Sequence, residues 1–159
     1  MSGTVAVKIR QILMEAAYTP ALSGSTSDHV LREIATLAAT GGRVDADSVH
    51  RALSERERLG STALTDGIAI PHGKLPGLKD AVVVVARHTG GIEFGALDHQ
   101  PTRLFVALLA PDNDPTHHLK VLARLARLLK EPECRQKLIE SVTAEAMNQA
   151  FIDADDRVA

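Results

Sequence analysis

His72 closes the run Ile68-Ala69-Ile70-Pro71-His72, so an apolar stretch carries one imidazole to its end, where Pro71 and Gly73 are expected to stop the strand. Ile68 and Ile70 share one face of such a strand and anchor it in a core. A polar side chain at the carboxyl end of a buried strand is the usual mount for a reactive group in an α/β protein. A lone histidine there reads most simply as a surface residue. Three further features give it chemistry: the Ser61 and Thr62 hydroxyls, the Arg56 guanidinium and the His118 imidazole, all expected at the carboxyl edge of one sheet.

That set describes a phosphoryl site. An imidazole nitrogen is a good nucleophile towards phosphorus near neutral pH, because much of it is unprotonated with a free lone pair. The phosphoramidate it forms is labile, which suits onward transfer. A His72 nitrogen that donates to a carbonyl would fix the tautomer and aim the other nitrogen. Phosphoryl transfer then asks for positioning and for charge on the equatorial oxygens. Arg56 would supply forked donors, Ser61 and Thr62 hydroxyls for the phosphate, and His118 a further hydrogen bond at a helix start whose amides favour anions.

Each residue also has an ordinary reading. Arg56 fits a solvated cation in the last turn of a helix, and Ser61 and Thr62 fit a loop. The adjacent His117 and His118 could hold adventitious metal as well as phosphate. A native metal site needs a third ligand, and neither His-x-x-x-His nor Glu-x-x-His spacing nor cysteine support is present, so no metal is expected. His29 and His50 fall on helix surfaces and His88 and His99 at strand ends or turns, where spacing gives them no role.

The elements that must position these residues follow from periodicity. Val5, Val7 and Ile9 alternate as a short strand would, yet Ile12 and Leu13 follow at helical spacing. Tyr18 to Thr26 reads as a loop, and Ser27 as the cap of a helix that buries Val30, Ile34, Leu37 and Ala38 and ends at Gly41-Gly42. A second helix is predicted from Ala46 to Arg58, capped by Asp45 or Asp47, with Arg56 and Arg58 favoured by the negative end of its dipole. Asp66-Gly67 marks a turn between Thr62–Leu64 and the Ile68–Pro71 strand. Ala81–Ala86 and Leu104–Ala110 are too uniformly apolar for half-exposed strands, so helices should cover both faces of the sheet. Asp114-Pro115 caps and starts a helix running to Leu129, with His117 and His118 in its first turn. After Pro132, helical pieces over Glu133–Glu140 and Ala144–Ile152 precede a charged tail, Asp153 to Ala159, that should fray.

Composition narrows the class. The chain's 159 residues suit a single domain over 1–159, with a core from Val5 to Asp153. Net charge is -2, with cations and anions interspersed, and one tyrosine, three phenylalanines and no tryptophan leave little to stack bases on. Nucleic acid is therefore not an expected partner. Cys134 is the lone cysteine, excluding an intramolecular disulfide and suiting a reducing, cytoplasmic setting. No stretch approaches the roughly 20 apolar residues that span a bilayer, so no membrane insertion is expected.

The run Arg56-Glu57, then Gly60-Ser61-Thr62, then Gly67-Ile68-Ala69-Ile70-Pro71-His72-Gly73-Lys74, resembles the phosphorylation-site signature of the fructose/mannitol class of IIA components of the bacterial phosphoenolpyruvate phosphotransferase system. The resemblance extends to Asp98, Gln100-Pro101, Leu104–Pro111 and His118-Leu119, covering most of the chain beyond Asp28. Within the class, the wording around His72 is most similar to the nitrogen-regulatory branch. The resemblance implies a three-layer α/β/α sandwich with a mixed, mostly parallel plus antiparallel, central sheet. It implies phosphorylation of His72 through Nε2, with His118 as second histidine, in preference to His117, and Arg56 beside it. The donor would be a phosphorylated histidine carrier protein, HPr or its nitrogen-branch counterpart, with enzyme I and phosphoenolpyruvate upstream and no cofactor. The targets would be regulatory proteins; alternatives are a sugar-specific IIA passing phosphate to a IIB domain, and a non-catalytic binding module. Ala63 and Thr65 stand where the class commonly has glycine, so the loop before His72 is expected to leave fewer backbone amides for phosphate.

Overall fold

The computed structural model describes residues 9–159. In chain order the elements are α1 (Arg10–Glu15), β1 (Ala17–Thr19), α2 (Ser27–Ala39), α3 (Ala46–Arg58), β2 (Ile68–Ala69), β3 (His72–Leu75), β4 (Val82–Ile92), β5 (Thr102–Pro111), α4 (Pro115–Lys130), α5 (Pro132–Glu140) and α6 (Ala144–Arg157). The sheet is mixed: β4 and β5 pair antiparallel, while β1 joins β4 and both β2 and β3 join β5 in parallel.

β4 and β5 are interior strands, which is why their sequences are apolar on both faces. Val83, Val85, Leu104, Val106 and Leu108 point into a core shared with α1, α4, α5 and α6. Val82, Val84, Phe105, Ala107 and Leu109 point into a second core with α2 and α3. The result is the expected α/β/α sandwich.

The caps follow side-chain chemistry. Asp45, one of the two expected, accepts from the Ser48 amide, Asp114 from the His117 amide and Thr143 from the Ala146 amide. α2 differs from expectation: Thr26 is the cap, accepting from the His29 amide, and Ser27 is the first helical residue. Three other readings are corrected. β1 overlaps the start of the stretch read as loop; its three residues hold their place by pairing with Val84–Ala86. β4 continues past Ala86 through an irregularity between Arg87 and Ile92, where Gly91 adopts φ 76°. The tail does not fray, because α6 reaches Arg157 and Asp155 and Val158 are buried. Val5 and Val7 lie outside the described residues, and Ile9 caps α1.

The strand bearing His72 also differs from expectation, since His72 opens β3 instead of closing a strand. Pro71 lacks an N–H and interrupts the ladder, but its carbonyl still accepts from the Leu108 amide at 2.9 Å. The registers Ile68↔Leu104 and His72↔Leu108 share one offset, so β2 and β3 are two halves of a single edge strand. Proline is tolerated there, and the Ile70 N–H and C=O face away from β5, the N–H donating to the Thr62 carbonyl. The Asp66-Gly67 turn forms as expected, with φ 65° and 78°, and returns Ala63 to an antiparallel bridge with Ala69.

Candidate functional site

Parallel pairing of β3 with β5 puts the His72 end of one beside the Pro111 end of the other, and β5 leads through Asp112–Asp114 directly into α4. The first turn of α4 therefore lands next to His72. On the opposite side α3 packs closely on β3: a Cβ on Gly73 would lie 3.2 Å from Ala52 Cβ. That approach brings the last turns of α3 to the same place. Arg56, His72, Lys74 and His118 line one cleft of about 520 Å³, with Glu55 and the apolar Leu59, Leu119 and Leu122.

His72 is half-buried, and its Nδ1 lies 2.7 Å from the Ile70 carbonyl oxygen. A carbonyl only accepts, so Nδ1 carries the proton and donates, which leaves Nε2 with a free lone pair. The His118 ring centroid is 5.9 Å from that of His72, with the planes tilted by 59°. His118 is buried and its Nδ1 has no hydrogen-bond partner. An unpaired buried polar atom is costly unless a ligand or water serves it. His117 lies outside the lining, its amide donating to the Asp114 carboxylate. Arg56 donates from one terminal nitrogen to the Gly60 carbonyl at 2.9 Å, tethering it to the loop while it lines the cleft.

The structure thus brings His72, His118 and Arg56 together and leaves Ser61 and Thr62 out of the lining. Ser61 Oγ donates to the Phe94 carbonyl and accepts from the Ala63 amide. Thr62 is buried, its amide and hydroxyl both donating to the Glu57 carboxylate at 2.8 and 2.6 Å. The Leu64 amide donates to the Ile68 carbonyl, so it too is engaged within the fold. Lys74, which has no role assigned from sequence, joins the cleft because its position two residues after His72 on one strand places both side chains on one sheet face. Elsewhere, His50 contacts Asp28, and His88 bridges the Gly24 carbonyl and Gly91 amide within the fold. Among the described residues no three His, Cys, Asp or Glu side chains converge as a metal site requires, and no helix is long and apolar enough to cross a membrane.

Burial, and then the electrostatic influence of His72, Lys74 and His117, hold the His118 pKa below its ordinary value of 6.5. The imidazole is therefore neutral where the unfolded chain would already bind a proton. In the window just below pH 6.5 the unfolded state holds more protons, so stability rises with pH. Unfolding titrations from about pH 7 to about pH 5 should show a loss of stability in the wild type that is smaller in His118→Asn. Equal slopes would mean that His118 carries no such penalty.

Comparison with known proteins identifies the family. Residues 11–154 match the family model described as phosphoenolpyruvate-dependent sugar phosphotransferase system, EIIA 2. A nitrogen regulatory protein of Bradyrhizobium diazoefficiens is 40% identical over 139 residues, 87% of this chain and 91% of that one. Another, from Pseudomonas aeruginosa, is 33% identical and covers 94% of this chain and 98% of its own. Among solved structures, nitrogen regulatory protein IIA-Ntr from Neisseria meningitidis superposes with a TM-score of 0.81 at 28% identity, over 89% of this chain and 99% of that one. The chain belongs to the EIIA type 2 family of the phosphoenolpyruvate-dependent sugar phosphotransferase system.

Proposed function

We propose that this protein is a cytoplasmic phosphocarrier of the regulatory, nitrogen-type branch, taking a phosphoryl group on His72 Nε2 from the phosphorylated histidine of HPr or its nitrogen-branch counterpart. The observation that carries the reading is the Nδ1 donation from His72 to the Ile70 carbonyl, which leaves Nε2 free in a cleft shared with His118 and Arg56. In the transfer step the Nε2 lone pair forms a bond to phosphorus as the carrier's P–N bond breaks. The electron pair of the broken bond stays on the carrier's ring nitrogen, and no proton need move. Nδ1–H keeps its carbonyl, which stabilises the positive charge that the ring gains.

Arg56 and Lys74 supply charge to the phosphoryl oxygens, and the neutral His118 supplies a ring N–H. Leu59 and Leu119, 84% and 64% exposed, rim the cleft and offer the carrier an apolar footing around the buried chemistry. The regulatory branch is supported by the two nitrogen regulatory relatives, which this chain matches over nearly their full length. Phosphorylation there acts by changing charge at a partner-facing surface.

Incubation with phosphoenolpyruvate, enzyme I and the carrier should add one acid-labile, base-stable phosphoryl group, located on His72 Nε2 by mass mapping and phosphorus NMR. Phosphate at Nδ1 would contradict the assigned tautomer. Efficient onward transfer to a IIB domain, with sugar uptake, would favour the sugar-specific alternative.

A further inference from the structure

Arg56 and its neighbour Glu57 leave the last turn of α3 in different directions. Arg56 lines the His72 cleft, whereas Glu57 turns to the loop that precedes β2 and has no contact with the cleft. A carboxylate near a helix C-terminus opposes the dipole, so helix stability does not explain it. We propose that Glu57 is a positioning residue for the phosphoryl-accepting atom, acting through Thr62 and the Ile70 backbone on the His72 ring.

The hydrogen bonds form one chain. Both carboxylate oxygens of Glu57 are used, one by the Thr62 amide and one by its hydroxyl, at 2.8 and 2.6 Å. The Thr62 carbonyl accepts from the Ile70 amide at 3.1 Å. The Ile70 carbonyl accepts from His72 Nδ1 at 2.7 Å. The N–H and C=O of Ile70 face away from β5: the N–H, in the peptide unit before Ile70, meets Thr62 beside the Ala63–Ala69 bridge, and the C=O, in the unit after it, meets the His72 ring. The residue before proline is held extended, so a shift of Ile70 at its N–H anchor carries with it the carbonyl that selects the His72 tautomer. With Glu57 absent, the buried Thr62 amide and hydroxyl lose their partner and the segment must rearrange to satisfy them.

The inference rests on the phosphohistidine reading of His72, but it is tested first on the unphosphorylated protein. Nitrogen-15 spectra of the histidine rings should show His72 in the Nδ1–H form in wild type and a mixture of both tautomers in Glu57→Ala. The initial rate of phosphorylation should fall by on the order of ten- to a hundredfold, as when a reacting group is misplaced or loses an outer partner. Glu57→Gln can accept from the Thr62 amide and donate to its hydroxyl, so it should recover most of both losses. Thr62→Val, which keeps the amide, should fall between. A folded Glu57→Ala protein with the wild-type tautomer and rate would overturn the proposal. If that variant does not fold, an unchanged tautomer in Thr62→Val would overturn it equally. A wild type that takes no phosphoryl group defeats the phosphocarrier reading, while the ring spectra still decide the role of Glu57.

Discussion

His72→Ala should take up no phosphoryl group from the phosphorylated carrier. The loss is expected to be the largest of any substitution in the cleft, because the atom that forms the new bond is gone. Deleting a nucleophile elsewhere in covalent catalysis costs up to about 10⁶-fold, so label should fall to background. Replacing Arg56 by methionine or His118 by asparagine removes only a stabilising contact, for which on the order of 10² to 10³ in rate is the usual scale. The ranking is therefore part of the expectation. Stability should change little, since His72 is half-buried and its one hydrogen bond contributes about 0.5–1.5 kcal/mol. Circular dichroism and a melting curve would establish that the alanine protein is folded. Undiminished labelling would move the acceptor to another group, with His118 the first to examine as the second imidazole in the cleft.

The parts of this molecule that were legible in the sequence are those whose cause is local. α2, α3 and α4 follow from apolar spacing and from cap residues within a few positions, and β4 and β5 from unbroken apolar runs. The parts that were not legible depend on distant partners. β1 is three residues that exist as a strand only because β4 lies beside them. The position of His72 at the start of β3 depends on β5 pairing across Pro71, an interaction that no local pattern announces.

The same division runs through the site. The His72, Arg56 and His118 positions were readable from motif and cap, whereas the directions of Ser61 and Thr62 are set by Phe94 and Glu57. A hydroxyl near a nucleophile in sequence says nothing of where it points. Lys74, two residues along the same strand, shares the sheet face of His72 by strand alternation alone.

The charged tail gives the second large effect. Arg124, 5% exposed, donates through Nε to the Asp155 carboxylate at 2.9 Å and through its terminal nitrogens to the carbonyls of Asp155, Val158 and Ala159. The other Asp155 oxygen accepts from the Ile9 amide at 3.1 Å. One buried pair therefore joins α4, α6 and the residue before α1, across 146 positions of sequence. Asp155→Ala leaves a guanidinium in the core without its counter-charge, and breaking such a pair costs about 3–5 kcal/mol. At this chain length that lowers the melting temperature by about 10 °C. The double variant Arg124→Met/Asp155→Leu, which removes both charges, should be more stable than Asp155→Ala, because isolated charge and not lost contact is the main penalty. Urea melts of the single and double variants give the comparison. α4 also carries His118, six residues or about 9 Å of helix before Arg124, so a loosened α4 should slow phosphorylation as well. An Asp155→Ala protein that melts like wild type would show that α4 is held by its apolar face alone.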